Sequence, residues 1–284
     1  MSGWRFLLAS RWAGYVAITI VFAVACFALG NWQLARRAEA HAAVVKLDAH
    51  YDAAPVPIGT LLPTLDSFDE ALEWSPVEVR GSYLSDEQLL VRTRPLGGNP
   101  GFEVLVPLLL EDGTIFIVDR GWVPTGSAHD APDAVPAAPT GTVVVVARLK
   151  PGEPRLPGRT APEGQVATIE LDDIAALLDE PTYTGAYGLM ASESPSAAEN
   201  PTPLPKPARD EGPHLSYAFQ WFVFAVLGFV GLGWAIRQEF RLANAGDPEE
   251  RARAAERARR KALRAPTDAE IEDAILDDAP AERS

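Results

Sequence analysis

Two transmembrane helices bracketing a mainly antiparallel β (α+β) extracytoplasmic domain is the fold class this sequence predicts, and three observations carry it. Residues 12–35 and 212–236 form uncharged, largely apolar runs, each longer than the about 20 residues that cross a hydrocarbon core as a helix. The stretch between them alternates β-branched and aromatic runs with proline, glycine and aspartate punctuation, the pattern of short strands joined by turns. That stretch is also acidic: residues 38–211 hold 27 acidic and 11 basic side chains in a chain of net charge −14. Such a balance suits a soluble domain and discourages a nucleic-acid partner.

The first run opens after Arg11 with Trp12, Gly14 and Tyr15 and closes on Asn31, Trp32 and Gln33 before Arg36 and Arg37. A secretory signal would share its basic start and the Ala23-Val24-Ala25 pattern, but its apolar region spans only about 7–15 residues. The second run carries Tyr217, Trp221 and Phe222 near one end, and Trp234 followed by Arg237 at the other; aromatic rings at both levels are what a membrane interface favours. Two spans put both termini on one side. Arg5, Arg11, Arg237, Arg241 and the block from Arg251 to Arg264 outweigh Arg36, Arg37, Lys46, Lys206 and Arg209. By the positive-inside rule the ends are expected in the cytoplasm. The expected organisation is membrane helices at 12–35 and 212–236, a β-rich domain at 36–190, a proline-rich tether at 191–211 and a charged cytoplasmic tail at 237–284 of a two-pass cell-membrane protein.

Within the domain, AEAHAAVVKLDA after Arg37 is expected to continue the helix, since alanine and charged side chains lose little on coiling, until Pro55, Pro57, Gly59 and Pro63 end it. Strands are expected at Val77–Tyr83, Gln88–Arg94, Phe102–Leu110, Thr114–Trp122 and Thr142–Leu149, with Asp112-Gly113 as a hairpin turn. Val166–Ile169 reads as an edge strand, and a short helix follows from Asp172 or Asp173, either of which can cap it. Thr182–Leu189 is strand-compatible. Ser192–Pro213 holds six prolines and reads as an extended, weakly ordered tether. The arginine-alanine block of the tail reads as a solvated surface helix.

Little in the chain points to catalysis. Cys26 is the single cysteine, so no intramolecular disulfide or two-thiol metal site can form in one chain. His41, His50, His129 and His214 lack metal-ligand spacing. His129 sits in a Pro/Ala-rich linker, and 97-GGNPG-101 lacks the lysine of a phosphate loop, so a turn is expected there. An enzyme would need Asp119, His129 or the carboxylates near residue 172 brought into one cleft.

The residue that stands out is His214, at the mouth of the second run. His214, Tyr217 or Ala218, Trp221, Ala225 and Gly228 follow one helical face, which sets an imidazole above aromatic surface and then small residues that permit close approach by a helix or a flat ligand. Two readings stay open: a hydrogen bond between helices, or an axial bond to haem iron. Gly30, Trp32, Gln33 and Arg36 supply close packing, an interfacial ring, an amide and a cation at the same level, the last able to meet a carboxylate or propionate. Arg120 and Trp122, at the end of the fourth strand, are expected to support a partner surface or the membrane-proximal pocket, or to form a structural corner. Ile115, Ile117 and Asp119 there alternate with Phe116, Val118 and Arg120 as two faces.

Five stretches in order, LGNWQLAR (Leu29–Arg36), VEVRGSY (Val77–Tyr83), GFEVLVPL (Gly101–Leu108), VDRGWVP (Val118–Pro124) and HLSYAFQWF (His214–Phe222), make the chain resemble the surfeit locus protein family, first member. The likeness extends from about residue 12 to residue 237. Asp119 stands where that family often has asparagine, and Ala40 where it often has a basic residue. The resemblance implies an assembly factor for an aa3-type cytochrome c oxidase that binds haem a and assists its insertion into the catalytic subunit. It implies no enzyme activity of its own, with a haem a synthase as a second partner and membrane lipid as its surroundings. His214 is then the expected axial ligand, supported by Trp32, Arg36, Tyr217 and Trp221. The alternative within the same resemblance is a haem-independent scaffold for a nascent oxidase subunit.

Overall fold

In the computed structural model, which describes residues 4, 9–127, 130–246 and 248–263, the first apolar run lies inside one helix, α1 (Ser10–His50). The second begins α4 (His214–Ala243). Both are long and apolar enough to cross a membrane. The chain divides into a helical unit, residues 1–37 and 213–284, and a β-rich unit, Ala38–Gly212. No proline interrupts α1, and it runs on to His50 through the alanine-rich segment, as helix propensity predicts. Asn244 ends α4 by donating its side-chain N–H to the Phe240 carbonyl oxygen at 2.8 Å. A further helix, α5 (Pro248–Ala262), follows in the tail.

Small residues let α1 and α4 approach. Cys26 and Ala218 are buried, and a Cβ added at Gly30 would lie 2.6 Å from the Phe222 ring. Gly228 faces Phe22 and Thr19 in the same way, with more room. At the far end Arg11 pairs with Glu239. The outer flanks carry Ile18 and Phe219, each 69% exposed, as expected of side chains that face lipid. Close packing through small residues is the usual means by which helices associate where the surrounding solvent is itself apolar.

The β-rich unit starts with β1 (Val56–Pro57) and α2 (Ile58–Leu61), followed by β2 (Pro76–Tyr83), β3 (Leu89–Val91), β4 (Gly101–Leu110), β5 (Ile115–Pro124), β6 (Thr142–Pro151), β7 (Gln165–Val166), α3 (Leu171–Ala175) and β8 (Ala186–Ser194). The sheet order is β1-β2-β6-β8-β5-β4-β3-β7, and a further β2–β4 pairing closes β2, β6, β8, β5 and β4 into a small barrel. All of its seams are antiparallel except β5–β8. Alternation decides which side chains enter it. Val77, Val79, Val104, Val106, Phe116, Val118, Val143 and Val145 fill the interior, while Leu105, Ile115 and Ile117 point outward to a second cluster covered by Ile169, Leu171 and Ile174. Each such side chain contributes about 1.5–3 kcal/mol on burial. Gly188 is required by crowding, since a Cβ there would meet Ala147 and Phe116 at 2.6 and 2.7 Å.

The hairpin at Asp112-Gly113 forms as expected: Gly113 has φ +85° and Asp112 accepts the Thr114 N–H at 3.0 Å. Elsewhere the elements shift. The strand expected through Arg94 stops at Val91, before Thr93 takes φ +61°. The short helix is capped by Glu170, which accepts the Asp173 N–H, so neither Asp172 nor Asp173 is the cap. The last strand continues to Ser194, beyond the expected start of the tether. The proline-rich segment is extended yet fastened: Thr202 exchanges backbone hydrogen bonds with Trp122, Lys206 pairs with Asp52 at 2.7 Å and Arg209 with Asp48 at 2.6 Å. Prolines forbid regular structure there, but side-chain and bridge bonds replace it.

Candidate functional site

His214 opens α4, and its Nδ1 lies 2.8 Å from the Gln33 side-chain oxygen on α1. An amide oxygen only accepts, so Nδ1–H is the donor of this bond. A hydrogen bond of this kind fixes both tautomer and ring orientation, which is how ligating histidines are commonly held. Below it Phe222 lies against Gly30 and 5.9 Å from the Phe27 ring. Trp221 is half-buried, edge-on to Phe224 at 5.9 Å. Trp32 and Tyr217 are 54% and 48% exposed, and Arg36 is exposed at the end of the apolar run. The helix pair thus joins His214 to Gln33, packs Phe222 against Gly30 further along, and leaves Trp32, Tyr217 and Arg36 on its outer surface. Gln33, read in the sequence only as an amide at this level, is the residue the histidine meets. The spacing of each helix is legible alone, but the pairing between helices is not.

Arg120 and Trp122 are both buried. Arg120 is 1% exposed and pairs with Glu193 at 2.9 Å, donating also to Asn200 and to the Pro136 carbonyl oxygen. Its guanidinium lies 5.5 Å from the Tyr83 ring centroid. Trp122 is buried and donates Nε1–H to the Arg94 carbonyl oxygen. Both are enclosed by the barrel end and the returning proline-rich segment, where they form a structural corner. Glu193, the buried counter-ion, carries no local sequence signal that could have disclosed it.

On the outward face of β5, Asp119 is 1% exposed beside a cavity of about 260 Å³. Glu103, Arg94, Glu153 and Tyr187 line the same cavity, with Tyr51, Trp74, Arg148 and Lys150 on another wall. Burial, reinforced by the charge of Glu103, pushes the Asp119 carboxyl well above the usual range. Burial also raises Glu103 against the opposing pull of Arg94. Burial works in the same direction on Glu153, but hydrogen bonds from Arg94, the Ile169 N–H and the Thr168 hydroxyl outweigh it and hold that carboxyl down to about 2. Of the groups an enzyme reading would gather, Asp119 is here, Asp172 and Asp173 lie on α3, and His129 is outside the described residues. Among the described residues no group of three or more His, Cys, Asp and Glu side chains is arranged to hold a metal ion.

Two apolar helices of membrane-spanning length that flank, along the chain, a closed, largely antiparallel β domain are consistent with a two-pass membrane protein. The SURF1 family model matches residues 20–226. An uncharacterized SURF1-like protein of Mycobacterium tuberculosis is 35% identical over 242 residues, covering 83% of this chain and 87% of that relative. Surfeit locus protein 1 of Xenopus tropicalis is 27% identical over 158 residues, 49% of each chain. The chain belongs to the SURF1 family.

Proposed function

We propose that this protein is an assembly factor for an aa3-type cytochrome c oxidase, which binds haem a at the His214 end of the helix pair and assists its insertion into the catalytic subunit. The observation that carries this reading is the His214–Gln33 bond: it holds an imidazole by Nδ1 at the mouth of an apolar, aromatic helix pair, and Nε2 is the other ring nitrogen that could serve as a ligand. When bound, a haem would be held through that nitrogen. Trp221 and Phe222 would offer apolar contact, and Trp32, Tyr217 and Arg36 would flank it at the interface, with Arg36 suited to a propionate. One imidazole makes one bond, so retention is reversible and a partner's own ligand can compete. In this reading residues 12–35 and 212–236 lie in the bilayer, the β-rich domain is extracytoplasmic, and both termini are cytoplasmic. The catalytic subunit and a haem a synthase are its partners.

A second reading is favoured by the same bond, because an imidazole–amide link between helices also suits a haem-independent scaffold that stabilises a nascent oxidase subunit. The two separate on one experiment. The detergent-solubilised protein, purified from cells that make haem a, is compared with His214→Ala by visible spectrum and pigment content at matched protein level. Haem a in the wild type and its loss on substitution supports the carrier; a folded, pigment-free wild type leaves the scaffold.

A further inference from the structure

The cavity beside Asp119 has no part in the proposed function, yet it is built as a binding site. Its volume of about 260 Å³ falls just below the roughly 300–1,000 Å³ of pockets that take drug-sized molecules, so its occupant is small. The chemistry of that occupant follows from which polar atoms already have partners. Each cation of the wall has a counter-charge, carbonyl or ring partner. Arg94 forms ion pairs with Glu103 at 3.1 Å and with Glu153, although its buried Nε makes no hydrogen bond. Arg148 donates to the Tyr51 carbonyl oxygen and lies 3.8 Å over that ring. Lys150 lies 4.6 Å over the Trp74 ring and 3.5 Å from Glu73. The acids are not matched in this way: Asp119, Glu103 and Glu153 share one guanidinium. Asp119 Oδ1 accepts the Gly121 N–H at 2.9 Å, whereas its buried Oδ2 has no hydrogen-bond partner. A buried carboxyl oxygen in that condition costs about 1–3 kcal/mol, which a donor in the cavity would recover.

We propose that this cavity binds a small organic ammonium, its N–H groups on Asp119 and Glu103 and its carbon chain along Leu189 and Leu204. Cationic donor and acid floor are complementary, and Leu189, Met190, Leu204 and Pro205 supply an apolar wall. The charged and titratable groups that line the cavity with Asp119 are Glu103 from β4, Arg94 ahead of it, Arg148 and Lys150 from β6, Glu153 beyond β6, Tyr187 from β8 and Tyr51 after α1. Burial and the Glu103 charge favour the protonated carboxyl, and an adjacent ammonium favours the ionised one. Binding therefore exchanges a cation for a proton: the proton leaves Asp119 for solvent, and affinity rises with pH.

The test uses the full chain in detergent and n-butylammonium chloride as the probe, by titration calorimetry, with sodium chloride as the ionic control and a pH dye in weakly buffered solution. Saturable one-to-one binding is expected, tighter at pH 8 than at pH 5.5, with release of up to one proton. Asp119→Asn keeps the acceptor for Gly121 and should bind at least tenfold more weakly without proton release. Leu204→Trp narrows the cavity without altering a carboxyl, and decides the matter should the first variant fold poorly; it too should lose binding. Heats equal to those of sodium chloride, equal binding of tetramethylammonium, which has no N–H donor, or undiminished binding by either folded variant would overturn the proposal.

Discussion

Asp119 and Arg120 are neighbours on β5 with opposite fates. Both are 1% exposed and each leaves one atom, Arg120 Nε and Asp119 Oδ2, without a hydrogen-bond partner, yet Arg120 points into the barrel and pairs with Glu193, Asn200 and a carbonyl oxygen, while Asp119 points outward beside a cavity. The difference separates architecture from function. A buried ion held by an opposite charge, an amide and a carbonyl oxygen fixes the corner where the barrel meets the returning segment. A buried carboxyl with an unpartnered oxygen beside a cavity marks a place where something else can bind. At the helix pair, Gln33 engages His214 at Nδ1, 2.8 Å away, and that bond reaches only one of the two ring nitrogens.

The largest effect should come from breaking the buried ion pair. Arg120→Met strands Glu193 in the barrel and should destabilise the protein by about 3–5 kcal/mol, whereas joint Arg120→Met and Glu193→Leu replacement should cost far less; chemical denaturation of the wild type, the two single variants and the double variant in a double-mutant cycle measures both. Equal losses in the single and double variants would remove the distinction. Next comes the seam that brings His214 to Gln33. Gly30→Ala must displace the Phe222 ring and should cost about 1–3 kcal/mol, and Gly228→Ala less, because the nearest ring atom lies 3.2 Å from the added Cβ.

Asp119→Asn should act in the other direction. A carboxyl whose pKa is raised in the folded protein stabilises it fully only below its unfolded value of 3.8, and that stability is lost as pH rises. The amide variant should therefore melt a few degrees higher at pH 7 and no higher below about pH 4, by thermal denaturation across that range. A lower melting temperature at pH 7 would mean that the ionised carboxylate is held by groups other than those described. The smallest effect belongs to Glu153, whose pKa is lowered from 4.5 to about 2. Its contribution is present above 4.5 and fades as pH falls toward 2, so Glu153→Gln should flatten the acid side of the stability profile.

Much of this was legible from local sequence. Apolar length gave the two helices, and the Asp112-Gly113 turn and the alternation along Ile115–Arg120 placed β5 and its two faces. What the sequence withheld is non-local. Barrel closure rests on Ser82 finding Leu109 across the sheet, and the burial of Arg120 on Glu193, 73 residues away. Proline content suggested a loose tether, yet Thr202, Lys206 and Arg209 fasten it to distant residues. At the membrane site the helical face of His214 was readable, but its partner Gln33, 181 residues away, was not.

The central claim, that His214 carries a haem for oxidase assembly, meets its most direct test in cells that lack their own copy of the protein. Wild type, His214→Ala and Asp119→Asn would be expressed at equal membrane levels, and the haem a content of the isolated oxidase catalytic subunit measured. The account predicts full haem a with the wild type, full or nearly full haem a with Asp119→Asn, and a marked deficit with His214→Ala. Normal haem a occupancy with His214→Ala would contradict it.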